Sequence, residues 1–405
     1  MIILKVIEGG VCAAYGFQAG SCLCGIKQNA TKDDVAMIFS KTICQVAATY
    51  TKNLVKAAPL KVTKKHLENG KAQAVIVNSG NANACNPVEI EMAEREAMAA
   101  AKALKVDIND VVVASTGVIG QPLPIECIEK NIDKLVLSDN GSDKAAVAIM
   151  TTDTVKKTIA VEFEINGVVC HMGGICKGSG MIHPNMGTML CFITCDVNID
   201  STLIDEAIHE NVKKTFNRVS VDGDTSTNDM CVVMCNGMAH NKLVNKADDS
   251  YELFKSALLF VMETLAKKIA ADGEGAGKLM TCTVKGAASE EDGENLAMSV
   301  CSSSLVKAAM FGADANWGRV ICALGYSGTE MNPDTVDIFF ACKDKMIQCC
   351  KDGKALEFDE DLAKEILLSD EIEIISDVKM GNYEVSCWGC DLTYDYVKIN
   401  GDYRT

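Results

Sequence analysis

The chain has 405 residues, 48% of them hydrophobic and 23% charged, with a formal net charge of −16 and a pI near 4.8. That length exceeds one small core, and the composition is that of a folded globular protein. The acidic balance excludes a surface that coats nucleic acid or an anionic membrane, because both partners need a basic face.

An anionic small molecule would be repelled by the average field of such a chain, so a site for one must contain its own Lys or Arg. The opening MIILKVIEGGVC is interrupted by Lys5 and Glu8 and reads as neither a signal segment nor a membrane span. No run of about eighteen apolar residues occurs elsewhere, and the expected location is the cytoplasm.

In chain order, AQAVIVNSGNANAC predicts a buried strand from Ala72 to Val77 that delivers a Gly/Asn loop. A helix from Val88 to Leu104 follows, starting at Pro87. DVVVASTGVIG repeats the scheme, a Val-rich strand feeding the loop Ser115-Thr116-Gly117. TIAVEFEINGVVCHM alternates apolar and polar residues on both sides of Asn166-Gly167 and predicts a hairpin.

Beyond it, Thr188 to Val197 reads as a buried strand, Ser201 to Phe216 as a helix, and Ser250 to Ala271 as a long amphipathic helix. The polar stretch VDGDTSTNDM leads into the strand CVVMC, a late hairpin surrounds CKDKM, and Glu371 to Asn400 is expected to supply several strands. Apolar runs alternating with helical patterns over the whole length indicate a mixed α/β protein, and no solenoid or propeller period recurs.

Twenty cysteines are scattered through apolar strands such as MTCTV and VICALG, where a free thiol behaves as a small hydrophobe. The one Cys-x-x-Cys, Cys387 and Cys390, lacks a second pair at zinc-site spacing. Reduced thiols are therefore expected, with no metal.

Chemistry concentrates in GSGMIHPNMGTMLCF, Gly178 to Phe192, where a glycine-rich loop runs through Gly187 into Thr188 and an apolar strand. A threonine hydroxyl can attack the carbonyl before it, and glycine crowds that carbonyl least. The amide becomes an ester, and water cleaves it. The freed α-amine, with an ordinary pKa of about 7.7 to 8.0, can then accept the hydroxyl proton, so one residue supplies both nucleophile and base. Taken by spacing alone, Gly-Thr before a strand also suits an ordinary turn. Such a nucleophile needs oxyanion donors. The hydroxyl of Thr116 and the N–H of Gly117 are candidates, although STGVIG also reads as a turn with a capping threonine.

Seven motifs in order, VNSGNANAC, ASTGVIG, TTDT, KGSGMIHPNMGTML, GDTSTND, FGADANWGR and CDLTYDYVKINGDYRT, resemble the ArgJ family, the bifunctional ornithine acetyltransferases (glutamate N-acetyltransferases) of arginine biosynthesis. The resemblance runs from roughly residue 10 to the last residue. It implies an ArgJ-like mixed α/β fold, with autocleavage between Gly187 and Thr188 into an α chain (1–187) carrying the oxyanion-hole loop and a β chain (188–405) with an N-terminal threonine. The two would share one active site and assemble as a heterotetramer of two α and two β chains.

The implied reaction is ping-pong: N2-acetylornithine acetylates Thr188, ornithine leaves, and glutamate takes the acetyl group as N-acetylglutamate. No cofactor is required, and whether acetyl-CoA also serves as acetyl donor is left open. Carried over by position, the resemblance makes Thr188 the nucleophile and Thr116 and Gly117 the oxyanion hole. It places substrate contacts at Thr151, Lys177, Thr188, Glu274, Asn400 and Thr405. Lys177 suits an α-carboxylate, Glu274 the δ-ammonium of ornithine, and Asn400 and Thr405 the amino-acid end.

The chain departs from the family pattern at Gly187, commonly alanine, and at His183, which reads as a general base or, preferably, a surface loop residue. Asp222, Asp224 and Asp229 fit either a cation site or a polar turn, the latter at least as well. Asp314, Asn316 and Arg319 fit either the lining of the site or, preferably, a structural role tying loops together.

Overall fold

The structure is a computed structural model that describes residues 4–27, 30–183 and 189–402. Among these residues, β1 (Lys5–Ile7), β2 (Phe17–Cys22), β3 (Val35–Tyr50), β4 (Lys71–Asn78), β5 (Val111–Ser115), β6 (Lys157–Ile165), β7 (Val168–Lys177) and β8 (Leu190–Cys195) come first, followed by β9 (Val219–Ser220) and β10 (Met230–Cys235). The remaining strands are β11 (Leu279–Ala287), β12 (Asp337–Cys342), β13 (Lys345–Lys351), β14 (Lys354–Ala355), β15 (Glu371–Asp377) and β16 (Tyr383–Cys390). The first sheet has the order β1-β6-β7-β8-β10-β3-β4-β5, with β2 also paired to β3; the second runs β14-β13-β12-β15-β11-β16-β9. The expected mixed α/β fold is present, in two sheets.

Two parallel pairs shape the first sheet, β8 with β10 and β4 with β5; the other pairings are antiparallel. Helices α1 (Ala58–His66), α2 (Glu89–Leu104), α3 (Ile125–Asn131), α4 (Ser142–Ala148), α5 (Ser201–Lys214) and α6 (Asp249–Ala271) belong to this part of the chain. Alternation along the strands sorts their side chains to two faces. Val111 and Val113 join Met92, Ala93 and Ala97 of α2, whereas Val112 and Ala114 lie with Ala145 of α4 and Ile149. Farther along the sheet, Cys191 and Ile193 of β8 pack against Phe254, Leu258 and Leu265 of α6, and Leu190 and Phe192 face the other way. Both faces are covered, so β5 and β8 are buried throughout and read as unbroken apolar runs.

The hairpin expected at Asn166-Gly167 joins β6 to β7, with Ile165 opposite Val168 and positive φ at both turn residues, +51° and +79°. The second sheet carries α7 (Glu290–Ser302), α8 (Ser304–Phe311), α9 (Trp317–Gly325) and α10 (Glu360–Leu367). The late hairpin turns between β12 and β13 at Lys343 and Asp344.

One expectation needs correction. Residues 371–400 supply only β15 and β16; the chain then forms α11 (Tyr394–Asp402), which has no buried residue. Its Tyr, Val and Ile favour strand, but the segment joins neither sheet and takes helical hydrogen bonds instead.

Cys387 and Cys390 are three apart on β16 and point to opposite faces, Cys387 into the core of the second sheet and Cys390 into that under α6. Both thiols are free and buried; burial pushes Cys390 up to about 11 and raises Cys387 well above the ordinary thiol value. Neither is poised for redox chemistry.

Candidate active site

The parallel neighbours β4 and β5 end level with each other at Asn78 and Ser115, and two loops leave from that edge. The carbonyl of Asn78 accepts the Thr116 N–H at 2.9 Å, while its side-chain Oδ1 accepts the N–H groups of Gly80 and Asn81 at 3.3 and 3.1 Å. Gly117 lies directly on the other loop with φ of +132°, and a Cβ there would come within 2.7 Å of the Gly80 carbonyl carbon. Only glycine fits. Asn228 locks the two loops together from a third segment, donating through Nδ2 to the carbonyls of Ala82 and Ser115, each at 2.7 Å.

With its backbone N–H committed, Thr116 presents its hydroxyl. Lys177, at the end of β7, donates from Nζ to Thr116 Oγ1 at 3.4 Å, which leaves the hydroxyl hydrogen free to point at an acceptor. The Gly117 N–H makes no hydrogen bond within the described residues. These two expected donors are thus side by side and available.

Lys177 is buried at 8% exposure, and the charge that holds it there is Asp153. Burial acts most strongly on Asp153 and would raise its pKa, but Lys177, Lys157 and the Gly178 N–H together bring it down to about 2. Lys157, wholly buried, pairs with Asp153 at 2.7 Å and with Asp272. Asp153 also receives the N–H groups of Thr151 and Gly178, and Asp272 those of Thr154 and Val155. One ionic cluster therefore sets the loop bearing Thr151, the start of the glycine-rich segment, and the end of α6.

The glycine-rich segment is stitched to the loop after α6. Ser179 donates its hydroxyl to the Asp272 carbonyl at 2.6 Å and accepts the Glu274 N–H at its own carbonyl at 3.0 Å. A Cβ on Gly180 would fall 2.3 Å from the Glu274 carboxyl carbon, so this glycine admits Glu274 to the site. From α11, Asn400 Nδ2 donates to Glu274 Oε2 at 2.8 Å.

Thr116, Gly117, Thr151, Lys177, Glu274 and Asn400 all line one cavity of about 280 Å³. Residues more than 280 positions apart in sequence are brought together as expected. Gly187, Thr188 and Thr405 lie outside the described residues.

Asp222 accepts the N–H groups of Met181, Ile182 and Asp224, at 2.6, 2.9 and 3.1 Å, which makes it a clamp on the loop ahead of residue 187. Thr225 donates to the His183 carbonyl at 2.7 Å, and His183 Nδ1 lies 3.0 Å from Ser220 Oγ. His183 is half-buried rather than a surface residue, and burial lowers its pKa against the opposing pull of Asp222 and Asp224. Asp229 is buried 2% exposed, its pKa pushed well up by burial. Among the described residues no three acidic, thiol or imidazole groups gather as metal ligands. Asn316 caps α9 and bonds to Asp314, while Arg319 donates to the Leu305 carbonyl, so GADANWGR ties loops together.

Asn78, Asp153 and Asn228 escaped the reading of the sequence as supports of the site. Each sits inside a motif recognised there, but only Asn78, a polar residue that ends a buried strand, carried a local signal; Asp153 and Asn228 lie in loops and meet partners from distant chain.

Two interleaved loops, a buried lysine and a carboxylate surround one cavity in an α/β fold. The ArgJ family model matches residues 18–405. The arginine biosynthesis bifunctional protein ArgJ of Caldanaerobacter subterraneus subsp. tengcongensis is 46% identical over 405 residues, covering 99% of this chain and all of the relative. ArgJ 1 of Clostridium acetobutylicum is 49% identical over 392 residues, 96% of each chain. The crystal structure of ArgJ from Bacillus halodurans matches at 45% identity and a TM-score of 0.50, over 52% of this chain and 98% of that one. The chain belongs to the ArgJ family, and its coarse function follows: an acetyltransferase of arginine biosynthesis.

Proposed function

We propose that this chain cleaves itself between Gly187 and Thr188 and then transfers acetyl from N2-acetylornithine to glutamate through an acetyl ester on Thr188. The observation that carries this reading is that Met189, next in sequence to Thr188, lines a small cavity of about 20 Å³ together with Thr116 and Lys177. The chain thus enters β8 beside the oxyanion donors. The matched chain of the B. halodurans structure is about half as long as this one, as a chain beginning at Thr188 would be.

In the first step the Thr188 hydroxyl adds to the Gly187 carbonyl carbon, the amide nitrogen leaves as a free amine, and water opens the resulting ester. In turnover that amine takes the hydroxyl proton as the oxygen attacks the acetyl carbonyl, and the Thr116 hydroxyl and Gly117 N–H receive the oxyanion. Ornithine departs, and the glutamate amine then attacks the ester by the same route.

Lys177 holds the α-carboxylate and Glu274 the δ-ammonium, with Thr151, Asn400 and Thr405 completing the contacts. The assembly is two α and two β chains, and whether acetyl-CoA also loads the same acetyl-enzyme is tested by supplying it in place of N2-acetylornithine. Labelled N2-acetylornithine given with glutamate tests the reading. Labelled N-acetylglutamate, dependent on Thr188, is expected; labelled acetate at the same rate with or without glutamate would make the protein a hydrolase instead.

A further inference from the structure

Behind the oxyanion loop lies a carboxyl group that the proposed reaction does not touch. Glu96, on α2, is fully buried at 0% exposure. Asn78 Nδ2 lies 3.3 and 3.4 Å from its two oxygens and 2.8 Å from Ser115 Oγ. Asn78 and Ser115 are the register pair at the ends of β4 and β5. The groups acting on the carboxyl are both neutral, Asn78 and Ser115, and burial dominates them, pushing its pKa up to about 8. An acid held without a cation in a core stays protonated at neutral pH and serves as a hydrogen-bonding group rather than a charge.

The oxyanion loop hangs from one of those two partners. The same Asn78 side chain holds Gly80 and Asn81, on which Gly117 rests, and the Asn78 carbonyl holds the Thr116 N–H. Fixing the Asn78 amide fixes which of its ends faces the loop. If the amide turned over, Nδ2 would confront the Gly80 and Asn81 N–H groups, donor against donor.

We infer that Glu96 is a positioning residue for acetyl transfer: from its buried place against Asn78 it orients Asn78 and Ser115 and thereby holds Thr116 and Gly117 where the oxyanion forms. This rests on the reading of Thr116 and Gly117 as the oxyanion donors. Glu96 touches no substrate, so its loss acts on the transition state and spares binding.

The test is steady-state acetyl transfer by the full processed protein, as wild type, Glu96→Gln and Glu96→Ala, with rates divided by the amount of folded, cleaved enzyme. Misplaced catalytic groups cost up to about 100-fold, so Glu96→Ala should lose roughly ten- to a hundred-fold in kcat with KM within about twofold. Glu96→Gln keeps the hydrogen bonds and should stay near wild type while losing the alkaline fall in kcat that wild type shows as the acid ionises.

A Glu96→Ala enzyme with wild-type kcat overturns the inference, as does one in which KM alone rises. If Glu96→Ala does not fold, Ser115→Ala decides: kcat must fall at constant KM, and an unchanged kcat overturns it. Wild-type protein that transfers no acetyl at all would instead sink the underlying function, so the two failures are distinguishable.

Discussion

At Thr116 a single side chain joins strand geometry to chemistry. Its N–H bonds to the Asn78 carbonyl at the edge of the sheet, its oxygen accepts from Lys177, and its hydroxyl hydrogen has no acceptor among the described residues. Thr116→Ala should therefore cost about 10² to 10³ in kcat, with urea unfolding unchanged; an unaltered kcat would remove Thr116 from the oxyanion hole. Glu96 yields a second prediction, on stability. Its folded pKa is about 8 and its ordinary value 4.5, so between those pH values the folded state holds a proton that the unfolded state has released. Stability then falls as pH rises through that window, by up to about 1.4 kcal/mol per pH unit. Unfolding free energies at pH 5, 6.5 and 8 should show a weaker decline in Glu96→Gln than in wild type, and equal slopes would mean that Glu96 is already ionised in the fold. Residue by residue, Thr116, Gly117, Thr151, Lys177 and Asn400 of the cavity lining were legible within the recognised motifs, while Glu274 lies outside them and followed from the family resemblance alone. The supporting roles of Asn78, Asp153 and Glu96 were not, because a residue's burial partners come from distant chain: Lys157 bridges Asp153 to Asp272, and no local pattern records that.

Elements were legible where one physical pattern dominated. The turn residues Asn166 and Gly167 and the 3.6-residue apolar stripe of α6 made their structures plain before folding is considered. The sixteen-residue β3 was harder, since its apolar pattern breaks at Ser40 to Thr42, within the stretch from Phe39 to Cys44 where its register against β4 also shifts. α11 was misread because propensity alone spoke for strand. In the structure it forms a wall of the cavity. Thr393 Oγ1 donates to the Gly275 carbonyl at 2.6 Å, Gly275 lies against the Tyr396 backbone, and Asn400 reaches Glu274. Ending the chain at Thr393 should raise KM for N2-acetylornithine at least about tenfold, the equivalent of ~1.4 kcal/mol of lost contacts. Because α11 buries no residue, Tm should stay within about 2 °C. A truncated enzyme with normal KM would show that the cavity does not need this wall.

Across the whole molecule, the two sheets divide the chain elsewhere than at residue 187. β7 and β8, which come before and after the proposed scissile bond, pair in the first sheet over the whole of β8, Met172 opposite Cys195 and Lys177 opposite Leu190. α6, from the second part, covers β6 and β7 from the first. Cutting one peptide bond between β7 and β8 removes none of those contacts, so the two pieces should co-elute in native buffer and separate only on denaturation. The measurement that tests the account most directly is the intact mass of freshly purified protein under denaturing conditions. Two species with the masses of residues 1–187 and 188–405 are predicted. A single species near 43.3 kDa that still transfers acetyl to glutamate would contradict it, since no free amine would then exist on Thr188 to act as the base.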